Sequence, residues 1–356
     1  MQPNFARVHT RHFTSFIYLF LLTGILVDCI EQIRVPVRTE APILVVDGGI
    51  TNRPGPYQVR ITRTGTFNVP SEAYEKLAVQ DALVQIIEKE TNRIVALELV
   101  PNQPGLYQTI ENSFVGKTGN TYTIEIRTTD GKNYRSDPEV MPVAPPIKEL
   151  TARYSAQRTI VNDTPFGYEI FLNMDDPADQ ANYYRWTANS YIRRESVGVL
   201  QFGGNFWYKY CWTPVSDNNI IIHSDVYSNG RPLRDQMVFR SPIYTVGKHF
   251  VEVTQYALTR EAYQFWRRFN EQRGRIGTIF DPLPSPIVGN IYNVDNPNER
   301  ALGYFTASGI STKRLTVPGD TLIQYNLEIE TGRFIAPGDC RRAFFQGTEE
   351  RPAGWE

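Results

Sequence analysis

The stretch IIIHSD (220–225) sets His223, Ser224 and Asp225 side by side, the three residue types of a charge-relay nucleophile. Neighbours on a strand point to opposite faces, so adjacency is poor geometry for a triad, and the segment reads as an ordinary strand end. After residue 28 the histidines are His223 and His249, and neither lies in an HExxH pattern that would offer zinc two ligands from one helix. No GxSxG elbow occurs. GKT at 116–118 mimics the tail of a phosphate loop, but Glu111 stands where the first glycine belongs and a strand follows instead of a helix. Asp175, Asp176 and Asp179 in NMDDPADQANYY supply hard oxygen ligands of the kind calcium takes, and an Asp-Pro turn explains the same letters. The turn is the reading adopted, so no metal, cofactor or catalytic set is expected.

Aromatic and sulfur chemistry is more suggestive. NFWYKYCW (205–212) holds five aromatics in eight residues, more than one face of a period-two strand can bury. Trp207, Tyr208, Tyr210 and Trp212 are therefore candidates for a contact surface, with a sugar-stacking platform and a filled core as the competing uses. Cys211 and Cys340 form an even pair in a chain expected to meet an oxidising compartment. A disulfide and two buried thiols both remain open.

Cys29 follows a leader. Arg7 and Arg11 with two histidines make a positive start, and Phe13 to Val27 runs fifteen residues without a charge before Asp28. A bilayer-spanning helix needs about 20 apolar residues, so the run suits a secretory signal over residues 1–28 better than a span. Leu26 and Cys29 fit a lipoprotein box, although Asp28 is an unusual neighbour for the cut. The expectation is a lipid on Cys29 and a tether over 29–42; simple cleavage and an uncleaved anchor are the alternatives.

These residues must be positioned by strands. The 356 residues include 20 Tyr, 19 Phe, 25 Gly and 24 Pro, a composition of strands and turns. Without Arg7, Arg11 and Asp28 the balance is 35 basic against 37 acidic residues, which gives no bulk attraction to nucleic acid. GPYQVRITRTG alternates apolar and polar side chains, and similar runs recur at 43–46, 82–88, 94–100, 106–110 and 122–128. Asp130-Gly131 predicts a hairpin over 122–136. About seven short strands in a hundred residues predict an immunoglobulin-like β-sandwich over 43–137. Prolines in DPEVMPVAPPIKEL place a linker at 138–150. A second β-rich domain is expected over 151–345, with strands at 168–174, 183–188, 205–212, 220–223, 236–240 and 250–256, and a tail over 346–356. Its single amphipathic helix carries Leu258, Ala262, Phe265 and Phe269 on one stripe, with Thr259 to cap it and Gly274 to end it. The arginines crowding that helix are read as a solvated face.

ILVVDGGITNRPGPYQVRITRT (43–64), PGLYQT (104–109), DPADQANYYRW (176–186) and PSPIVGNIYNVDNPNERALGYFTAS (284–308) occur in succession, and together they resemble the Bacteroidota outer-membrane lipoprotein family catalogued as domain of unknown function 4249. The resemblance implies a lipoprotein anchored in the outer membrane and facing the periplasm or the surface. It also implies a gene neighbourhood shared with TonB-dependent receptors, and no established activity. The leading expectation is a non-catalytic accessory or cargo-binding partner of such a transporter. A structural or adhesive protein binding through its immunoglobulin-like domain is the second, and an exported glycan or peptide hydrolase the weakest.

Overall fold

The computed structural model describes residues 41–65, 75–156, 166–196, 210–216, 219–243, 247–274, 287–319, 339–344 and 346–355. Apart from Ala41, all of these belong to one compact unit, Pro42–Gly65 with Val69–Glu356.

The chain is mostly β. Its first strands are β1 (Leu44–Thr51), β2 (Gln58–Arg63), β3 (Leu83–Glu88), β4 (Arg93–Leu99), β5 (Leu106–Thr109), β6 (Thr121–Arg127), β7 (Asn133–Ser136) and β8 (Glu139–Val140). Alternation drives them: in β2, Val59 and Ile61 are buried while Gln58 and Arg60 face water, and in β6 Tyr122, Ile124 and Ile126 are buried. The hairpin over 122–136 forms, with Ile126 opposite Tyr134 and Gly131 in the turn at φ 85°.

These strands do not close a two-sheet sandwich within 43–137. They form a ring in the order β3–β4–β5–β2–β1–β17–β16–β7–β6, with β6 pairing back to β3, and two of its nine strands come from far along the chain. Those are β16 (Val288–Asn293) and β17 (Arg300–Ser308). β17 lies parallel to β1 while the other ring pairs are antiparallel, and it carries Phe305, fully buried, into the barrel core. The physical reason is closure: β16 and β17 fill the space between β1 and β7 and leave no ring strand with an unpaired edge. Gly303 permits the close approach, because its φ is +88° and a Cβ there would stand 1.9 Å from the Val46 carbonyl oxygen.

The expected linker is shorter than 138–150. β8 occupies Glu139–Val140, and β9 (Ile147–Ser155) begins before that stretch ends. The prolines between them serve as acceptors: Pro142 O takes Gly309 N–H and Pro145 O takes the Gln255 side-chain amide.

A sandwich does exist, in the second half. One sheet has the order β14–β10–β9, with β10 (Gly167–Met174) and β14 (Leu233–Pro242). The other runs β12–β11–β15–β18, from β12 (Tyr210–Ser216), β11 (Tyr183–Glu195), β15 (His249–Leu258) and β18 (Ile310–Val317), and β13 (Ile221–Ser224) also pairs with β11. Tyr168, Ile170, Leu172, Trp186, Phe239, Val251 and Val253 fill the core between them. Helix α1 (Arg260–Arg273) has Thr259 as its N-cap and Gly274 as its C-cap, and it packs Ala262 and Phe265 against Leu258 and Tyr304. A single turn, α2 (Cys340–Ala343), follows later.

Candidate functional site

β10 leads into a loop at 175–182 and β13 into a turn at 225–231, and tertiary structure locks the two together. Tyr184 Oη donates to Asp176 Oδ1 at 2.7 Å, and Gly230 N–H donates to Asp176 Oδ2 at 2.9 Å. Asn182 donates its backbone N–H to Asp225 Oδ1 at 2.7 Å and its side-chain amide to Oδ2 at 3.3 Å. Burial, then contact with Asp176 and its charge, push the Asp225 carboxyl above the usual range despite the Asn182 donors. Asp225 is 1% exposed, and each of the four oxygens already holds a partner from the loops, so the pair acts as a brace. At the tip of the braced turn stand Val226, 50% exposed, and Tyr227, 98% exposed.

The other chemical candidates disperse. His223 is half-buried beside Trp186, and burial lowers its pKa. Ser224 Oγ accepts from Val226 N–H, and Asp225 turns to Asn182, so no triad is assembled. Asp175 pairs with Arg234 at 3.1 Å and with Lys148, apart from Asp176. Among the described residues, no group of three or more His, Cys, Asp or Glu is placed to hold a metal. At 116–118, Gly116 N–H is held by Thr51 O and Tyr57 Oη and Lys117 N–H by Tyr122 Oη, which ties the segment to the barrel.

On the edge strand β12, Tyr210 is 37% exposed with the Arg193 guanidinium 4.9 Å from its ring centroid. Trp212 is half-buried, and its backbone exchanges hydrogen bonds with Thr348. Between them Cys211 is joined by a disulfide to Cys340, buried with Phe344. Trp207, Tyr208 and Cys29 lie outside the described residues.

Sequence reasoning passed over Tyr227. Its signal was present: in SDVYSNG an aromatic sits inside a polar turn, where a strand or helix core cannot reach it. The pairing of Asp176 with Asp225, 49 positions apart in the numbering, had no local signal.

A closed barrel whose chain runs on into a two-sheet sandwich makes this a mostly β protein with two cores. The chain belongs to the family described as domain of unknown function DUF4249, whose profile matches residues 30–314. No curated protein matches it. Among solved structures, it is similar to the chicken interferon gamma receptor alpha chain at 10% identity, covering 62% of this chain and 91% of that one; at a TM-score of 0.20 the likeness carries no argument. Among the described residues, no helix is long and apolar enough to cross a membrane.

Proposed function

We propose that this chain is a non-catalytic envelope lipoprotein, held to the outer membrane through acylated Cys29, that serves as an accessory or cargo-binding partner of a TonB-dependent transporter. The observation that carries the reading is the braced turn, whose acid–base groups fix the turn at Asp225 and Gly230 and so present Tyr227, fully exposed, from between them. An aromatic residue fixed on a preorganised loop is the usual anchor of a protein contact. The family match begins at residue 30, one residue past Cys29, so the leader lies outside the shared domain.

An adhesive protein binding through an immunoglobulin-like N-terminal domain is the second reading. It would use an open strand edge, and ring closure removes such edges from the nine barrel strands.

Two measurements test the proposal. Mass spectrometry of the mature protein is expected to find an acylated Cys29 at its N-terminus, and an intact leader would overturn the anchoring. Affinity capture from solubilised membranes is expected to recover a β-barrel receptor with the native protein and several-fold less of it with Tyr227→Ser, a surface change that leaves the core alone. Equal recovery by both would remove the braced turn from the interface.

A further inference from the structure

The outer face of the β11–β15–β18 sheet carries an arginine that forms no salt bridge among the described residues. Arg185 on β11 lies between two rings, its Cζ 4.1 Å from the Trp266 ring centroid and 5.1 Å from that of Tyr256. Among the described residues its buried Nε finds no hydrogen-bond partner, and neither does the buried Nε1 of Trp266 in the same stack. The residue as a whole is of intermediate burial, neither sealed in the core nor exposed. Stacking gives a guanidinium an electrostatic partner on the ring face but no hydrogen-bond acceptor, so the buried Nε–H stays unmet.

The surroundings supply more polar groups. Register places Thr187, Thr254 and Thr312 in one row across the three strands, on the face that Arg185 shares and about 7 Å along it. Arg53 reaches the far end of that row and donates to Thr312 Oγ1 at 3.4 Å. One row further, Arg314 is already bound to Glu252 at 2.5 Å. The uncommitted charge is thus small, and the Asp47 carboxylate lies within electrostatic reach of Arg185. That balance suits a monoanion better than a phosphate dianion, and the flat edge of a guanidinium matches a carboxylate.

We infer that Arg185, stacked between Tyr256 and Trp266 above the threonine row, is a seat for the carboxylate group of a ligand lying on this sheet face. The inference goes beyond the lipoprotein reading and does not depend on it.

The test is titration of the full chain with acetate, followed through the Arg185 Nε–H and Trp266 indole N–H signals in nitrogen-15 NMR. Both are expected to shift and saturate together. Arg185→Gln should abolish the saturable indole shift, and Arg185→Lys, which keeps the charge without the planar fork, should weaken it roughly tenfold. Should Arg185→Gln fail to fold, Trp266→Phe keeps the ring, removes the N–H and is expected to weaken the shift at Arg185 several-fold. Absence of a saturable shift with acetate would overturn the seat, as would a shift indifferent to these substitutions. Tighter binding of inorganic phosphate than of acetate would overturn the assignment to a carboxylate.

Discussion

Glu139 is a carboxyl group sealed away from water, 3% exposed on β8. Tyr304 Oη donates to its Oε1 at 2.5 Å and Asn290 Nδ2 to the same oxygen at 3.4 Å, while Thr259 Oγ1 donates to Oε2 at 2.8 Å. Burial pushes its pKa up to about 7; the three donors pull the other way, and the charge of Glu261 adds to the rise. The folded protein therefore holds this proton more tightly than the unfolded chain does. Its contribution to stability is complete below the ordinary glutamate value of 4.5 and is lost as pH rises through about 7, on the order of 3 kcal/mol in all. Between about pH 5 and pH 8 the urea midpoint of the native protein should fall relative to that of Glu139→Gln, which keeps the opposing His249 contribution and loses only this one. His249 works with the opposite sign. Burial, then the Arg194 charge, lower it to about 3, so its contribution is present above the ordinary 6.5 and lost as pH falls toward 3. His249→Gln should accordingly soften the loss of stability in mild acid, read from the same midpoints.

At the scale of elements, local pattern and observed structure agree wherever one element is its own explanation. Of the expected stripe, Ala262 and Phe265 give α1 its buried face, Leu258 packs on them from the end of β15, and Phe269 stands exposed in the last turns; Thr259 Oγ1 accepts from Ala262 N–H at 3.2 Å, as a helix cap does. Arg267 pairs with Glu271 one turn on, as expected of a solvated face. β12 is different, because it is an edge strand held from outside itself. The Cys211–Cys340 disulfide spans 129 positions, and Thr348 pairs with Trp212 beside it. Reduction, or Cys340→Ala, is expected to cost about 2–4 kcal/mol. Thermal melts with and without reductant check this: the native protein should lose stability on reduction, and the variant should not respond.

At the scale of the whole molecule, the barrel depends on strands separated from it by every strand of the sandwich except β18. A fragment of residues 42–156 lacks β16 and β17 and so exposes the edges of β1 and β7 together with the core that Phe305 fills. It is expected to give the poorly dispersed amide spectrum of an unfolded chain, whereas the full chain gives a dispersed one. In the full chain, Gly303→Ala should cost more than about 2 kcal/mol in denaturant unfolding, because the new Cβ meets the Val46 carbonyl and the backbone is left-handed.

The amino-acid sequence by itself determined the strand-rich character, the one long helix with its caps, and the hairpin at Asp130-Gly131. Each of these follows from residues within a few positions of one another, where period and turn chemistry act directly. It also carried the succession of segments that marks the family. Only the tertiary structure decided that β17 lies against β1, that the sandwich belongs to the second half, and that Asp176 meets Asp225. Several strands of similar alternation could fill the place beside β1; the choice rests on closing the ring, burying Phe305 and allowing backbone contact at Gly303, and these terms exist only once distant segments have met.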